Sequence, residues 1–192
     1  MLGADWATFL DVSRGSGDLL FVLAMALVVG YTAFTVKWEE FILRGAMVKN
    51  LAEGSNGRVP RWIAVGLAVT LSTLVFALLH STKVTHFFQY GYYLIAGLVL
   101  SGVCVLTGGL ALSIGFHVVD DSTQRAIFGL GHSQQTPELL AVDIVGPSRW
   151  VGEGGLVFVG FAVLSGLLLV AYLRRRDGTV QLDYRVTSYT RR

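Results

Sequence analysis

Residues 87–116 run for 30 positions without one charged side chain. As a single helix they would extend about 45 Å at 1.5 Å per residue, well beyond the ~30 Å hydrocarbon layer of a bilayer. A run of this kind fits two membrane helices joined by a break. Thr107-Gly108-Gly109 supplies the break, because paired glycines disfavour helix and favour turns. Three more uncharged runs, 19–36, 62–79 and 154–173, each suit one crossing. Extended to their natural ends, these runs predict an all-α polytopic membrane protein. It is one domain of five transmembrane helices, at about 19–50, 61–82, 87–106, 110–130 and 154–173, around a buried polar chamber, with a tail at 174–192.

Composition agrees. Hydrophobic residues make up 53%, charged residues only 15%, and mean hydropathy is +0.60, whereas soluble domains carry about 25% charge. A net charge of +2 gives no reason to expect a nucleic-acid partner. The single cysteine, Cys104, excludes an intrachain disulfide framework and a cysteine-based zinc site. No internal repeat is visible.

Lysine and arginine counts set the expected orientation. With the 37–61 connection and the tail on one side, that side carries 11 basic residues and the other four, namely Arg14, Lys83, Arg125 and Arg149. The N-terminus is then outside and the C-terminus cytoplasmic, in a prokaryotic plasma membrane. The first run lacks a basic n-region, since Asp5, Asp11 and Asp18 precede it. It reads as a retained helix and not a cleaved signal. The 131–152 connection reads as an extracytoplasmic loop folding back over the chamber.

Ionisable groups at membrane depth cost a few kcal/mol each, so they need partners or a job. Three clusters stand out. In Glu39-Glu40-Phe41-Ile42-Leu43-Arg44, Glu40 and Arg44 are four apart on one helix face and suit a pair, while Glu39 points about 100° away without one. In Phe76-Ala77-Leu78-Leu79-His80, an imidazole ends an apolar helix. In His117-Val118-Val119-Asp120-Asp121, His117 and Asp121 share a face that Arg125 continues. Carboxylates and imidazoles from separate helices suit water activation, in which one pair handles the proton and further donors meet an oxyanion. The inventory also suits a divalent metal such as zinc, with Glu39, His80, His117 and Asp121 as candidate ligands. The HExxH, GxSxG and P-loop motifs are absent. His86, His132 and the Tyr90, Tyr92, Tyr93 belt read as structural.

In order and spacing the clusters resemble the EExxxR, FxxxH and HxxxN/D motifs of the CAAX-protease and bacteriocin-processing family of intramembrane endopeptidases, over about 36–173. The resemblance implies hydrolysis of a peptide or protein substrate that arrives from the membrane or cytoplasmic side. Glu39 and His80 would match the water-activating pair, and His117 and Asp121 the oxyanion pair. Glu40, Arg44, Phe76 and Arg125 would support them. Many members carry Asn where this chain has Asp121. An ionised aspartate repels an oxyanion, so Asp121 has to be protonated, paired with Arg125 or metal-bound. The competing reading is a non-catalytic protein of the same fold: a scaffold, a bacteriocin self-immunity protein, or an ion or proton conductor. Five spans and no inverted repeat argue against a transporter.

Overall fold

The structure, a computed structural model, describes residues 19–128, 139, 146–151 and 154–187. The expected loop over the chamber and His132 fall largely or wholly outside the described residues.

Helix α1 (Leu19–Glu40) continues without interruption through a π-helical stretch, Phe41–Val48, into α2 (Lys49–Ser55). The combined apolar rod, Phe21–Ser55, is 35 residues long, or about 52 Å at helical rise. Pro60 opens α3 (Arg61–Leu79), where its fixed φ and missing N–H do no harm. Two short 3-10 turns, Ser81–Lys83 and Phe87–Gln89, lead to α4 (Tyr90–Thr107). Gln89 Oε1 accepts from the Thr85 and His86 backbone N–H groups at 2.7 and 2.8 Å, which fixes that turn. Gly108 ends α4 in the left-handed region at φ +63, and α5 (Ala111–Ser122) follows, extended by a π turn at Thr123–Ile127. After α6 (Ser148–Val151), α7 (Leu156–Asp177) completes the bundle.

Four helical stretches are long and apolar enough to cross a bilayer: Phe21–Ser55, Arg61–Leu79, Phe87–Thr107 and Leu156–Asp177. Over the expected fifth, 110–130, the described residues are helical from Ala111 to Ile127. Its faces carry Ser113, His117 and Asp120, which bond to other helices, and Asp121, which pairs with Arg125 one turn on. By contrast α7 shows lipid-facing leucines, with Leu167 63% and Leu168 61% exposed.

The helices pack pairwise, α3 on α4, α7 on α4, α5 on α1, and the 41–55 rod on α3. Gly97 permits the α3–α4 approach, because a Cβ there would lie 3.1 Å from Thr73 Cγ2 and 3.2 Å from Phe76 Cδ1. Two apolar clusters fill the bundle. One, at the Ser55–Arg61 end, holds Val48, Ala52, Val65, Ala68, Val105 and Val186. The other, at the His80 end, holds Leu43, Phe76, Ala77, Tyr93 and Leu100.

The C-terminal segment seals the first end. The Asp183 N–H donates to Val105 O at 2.9 Å, Arg61 Nη2 to Leu182 O at 3.0 Å, and Arg185 Nη2 to Thr107 O at 2.9 Å. The Asp183 carboxyl covers Gly108, where any Cβ would collide with it. Hydrogen bonds from the Arg185 side chain and backbone hold that carboxyl down to about 2. A depressed carboxyl contributes fully above its ordinary pKa of about 3.9 and loses the contribution as pH falls through its folded value. Hydrogen-exchange protection of the Asp183 amide is therefore expected to hold from pH 7 to 5 and to decline only between about 4 and 2. The Arg185 side chain is exposed, so solvent screening keeps the change small. Loss of protection already at pH 5–6 would contradict this account of the tail.

Candidate active site

Glu40 is the centre of the polar interior. Its side chain and that of Arg44 are fully enclosed. Oε1 accepts from Arg44 Nη1 at 3.0 Å and from His117 Nδ1 at 2.8 Å, and Oε2 accepts from Ser113 Oγ at 2.5 Å. Three donors from two elements satisfy an ionised carboxylate. Ser113 also lies 3.2 Å from Leu100 O, so one hydroxyl touches α1, α4 and α5. The Arg44 guanidinium lies over the Phe76 ring at 4.5 Å. The π-helical stretch begins directly after Glu40, a backbone feature frequent at functional sites.

His80 terminates α3 and is 8% exposed. Its ring is held between Phe76, at 4.4 Å between centroids, and Tyr93, at 4.7 Å and 26°. Nδ1 lies 2.8 Å from Phe76 O. A carbonyl only accepts, so Nδ1 carries the hydrogen and the lone pair of the neutral ring is on Nε2. This is the tautomer that accepts a proton from water through Nε2.

His117 sits between two carboxylates, with Glu40 on Nδ1 and Asp121 Oδ1 at 3.8 Å from Nε2. The second distance is too long for a hydrogen bond. Asp121 Oδ2 is 3.5 Å from Arg125 Nη2, so of the three states open to this aspartate the structure shows the arginine pairing. Phe76 also touches His117, edge to face at 5.9 Å, and so bridges the two imidazoles.

Glu39, half-buried, turns away from Glu40. The charges that act on it come from His117 and Asp121 first, then from Lys83 and Arg44. Those acting on His80 include Lys83, His117 and Asp121. His117 and Asp121 thus act by charge on both Glu39 and His80. No direct hydrogen bond or ion pair joins Glu39 to His80 among the described residues. Nor do these residues form a ligand set: among the described residues no three His, Cys, Asp or Glu side chains gather in a way that could hold a metal ion. Both Nδ1 atoms are engaged by protein acceptors.

Sequence spacing missed several participants. Ser113 is four residues before His117 and hence on its face, a signal that was legible. Tyr93, read as part of an aromatic belt, stacks on His80. Lys83 reaches the site through its charge, from the turn after His80. The link from His117 to Glu40 spans 77 positions and leaves no local pattern. His86 stacks on Phe88 at 5.5 Å, away from these groups.

The site also has a definite end of the bundle. His80 closes α3, and the start of α7 packs there, Gly154 against Gln89. Arg61 opens α3 at the other end, beside the tail. The site and the arginine-rich tail therefore lie at opposite ends, and a cytoplasmic tail and a cytoplasm-facing chamber cannot both hold.

Among curated proteins and solved structures, none matches this chain. The family model described as type II CAAX prenyl endopeptidase Rce1-like matches residues 16–123, more than half of the chain. The matched region contains Glu39, Glu40, Arg44, Phe76, His80, His117 and Asp121 and stops just before Arg125. This integral membrane protein belongs to the Rce1-like type II CAAX prenyl endopeptidase family.

Proposed function

We propose that the protein is an intramembrane endopeptidase that hydrolyses a peptide bond with a water molecule activated by Glu39 and His80. The observation that carries this reading is the tautomer of His80, whose Nε2 lone pair is left available in a region that also holds Glu39, His117 and Asp121. Water attacks the carbonyl carbon as Glu39 takes one of its protons, while the other stays on the new hydroxyl and hydrogen-bonds to His80 Nε2. His117, protonated on both nitrogens and steadied through Nδ1 by Glu40, donates from Nε2 to the tetrahedral oxyanion, and Arg125 offsets the charge of Asp121. Collapse breaks the C–N bond as Glu39 passes its proton to the leaving nitrogen, and the new carboxylic acid gives up its remaining proton to His80 Nε2. The products are a carboxylate and a free amine.

The substrate is a peptide or protein segment that reaches the chamber from the membrane. Charge balance puts the tail in the cytoplasm, with Arg174, Arg175 and Arg176 beside it, and the site at the opposite end. The test is the purified protein in liposomes, incubated with a peptide library and read by mass spectrometry. Wild type is expected to generate new amino termini, and Glu39→Gln to generate none above background. Ion flux without cleavage in the same liposomes would replace the peptidase reading with a conductor.

A further inference from the structure

Seven carboxylates fall among the described residues, and five have a basic partner: Glu40, Glu53, Asp121, Asp177 and Asp183. The two without one are Glu39, assigned above to water, and Asp120. Helix α5 thus presents adjacent carboxylates on two faces. Asp121 faces His117 and Arg125, and Asp120 faces α4 and α7.

Asp120 is held by neutral groups. Tyr92 O–H donates to Oδ2 at 3.2 Å and Gln124 Nε2 donates to the same oxygen at 3.0 Å, with Gln124 also bonded to Tyr92 at 3.1 Å. Oδ1 accepts from no described residue. The three polar groups head a cleft whose walls are Phe116, Phe158, Phe161, Ala96 and Val99, with Ser165 on its rim. Phe161 is 66% exposed, so the cleft opens on the lipid-facing surface. Its volume is about 50 Å³, the share of roughly two water molecules. That admits the end of one extended side chain and excludes a lipid tail.

We infer that this cleft is a specificity subsite in which Asp120 receives a lysine or arginine of the substrate peptide. An unpaired carboxylate at membrane depth calls for a cation, the aromatic walls suit an aliphatic stem, and their ring faces attract its charge. The subsite lies across one helix from the chamber, a separation of about 10 Å. At up to about 3.3–3.6 Å per residue, that places the basic residue about three positions from the cleaved bond.

The inference rests on the peptidase reading, and the experiment separates the two. Peptides carrying Lys, norleucine or Glu at each position around the cleaved bond are compared by kcat/KM. Wild type is expected to prefer Lys over norleucine at one position by tenfold or more. Asp120→Asn keeps the acceptor for Tyr92 and Gln124 and should collapse that ratio to within about twofold. Asp120→Lys should turn the preference toward Glu. No preference in wild type, or the full preference retained in Asp120→Asn, overturns the subsite. If wild type cleaves nothing, the peptidase reading fails and binding decides the subsite. Fluorescence anisotropy of a Lys-bearing peptide on the Glu39→Gln protein should then weaken at least tenfold on adding Asp120→Asn. Equal binding overturns it.

Discussion

Replacing His80 by alanine is expected to lower kcat/KM for peptide hydrolysis by about 10²–10⁴, the range for a positioned proton-transfer group. At 1.36 kcal/mol per decade this is about 3–5 kcal/mol of transition-state stabilisation. The reason is local. Nδ1 is committed to Phe76 O, so only Nε2 can meet water, and the Phe76–Tyr93 clamp fixes where it points. Loss of the ring stacking alone would cost roughly 0.5–1.5 kcal/mol per pair in stability, a much smaller effect that does not alter chemistry. His80→Asn separates the two contributions. Its amide can still donate to Phe76 O, which keeps the end of α3 intact, yet it offers no basic nitrogen. Activity should fall as far as in the alanine variant while the melting temperature stays closer to wild type. Full turnover in His80→Asn would remove His80 from the chemistry and with it the mechanism proposed here.

Why so much of the site was legible, and part of it not, follows from how each residue is constrained. Apolar runs had to be helices because a bilayer leaves the backbone no other partner. Glu40 and Arg44 were readable because four residues along a helix return to the same face, and their 3.0 Å contact is a local consequence of spacing. The 110–130 segment shows the limit, because its lack of charge up to Phe116 hid how much of its surface meets α1 and α4. The same blindness hid Glu40–His117 and Tyr92–Asp120, contacts between helices distant in sequence. Periodicity marks which face is polar but not which other helix that face will meet. Orientation is the clearest case. Charge counts put Lys83, three residues after His80, outside, while the resemblance allowed a cytoplasmic approach, and the position of His80 at the end of α3 away from Arg61 leaves the two in conflict.

The second large effect concerns the buried charges around Glu40. Glu40→Gln is expected to destabilise the protein by about 3–5 kcal/mol, because it leaves the Arg44 guanidinium enclosed without a counter-charge. Arg44 is only 1% exposed, and its Nε and Nη2 already lack partners among the described residues. For a chain of this size, that is roughly 6–20 °C in melting temperature, at about 2–4 °C per kcal/mol. Arg44→Met should cost less, since the Glu40 carboxylate keeps His117 and Ser113 as donors. The double variant Glu40→Gln with Arg44→Met removes both charges and leaves an amide that still accepts from His117. It should recover most of the stability lost in Glu40→Gln, as buried pairs replaced by neutral groups of similar volume often do. It should not recover activity, because His117 then faces an amide in place of a carboxylate, and at least a tenfold deficit in kcat/KM is expected. Stability and activity thereby part company across three variants, read by thermal unfolding in detergent and by peptide hydrolysis. A double variant as active as wild type would reduce Glu40 to a structural counter-ion of Arg44. A Glu40→Gln protein as stable as wild type would mean that the guanidinium is not enclosed as described.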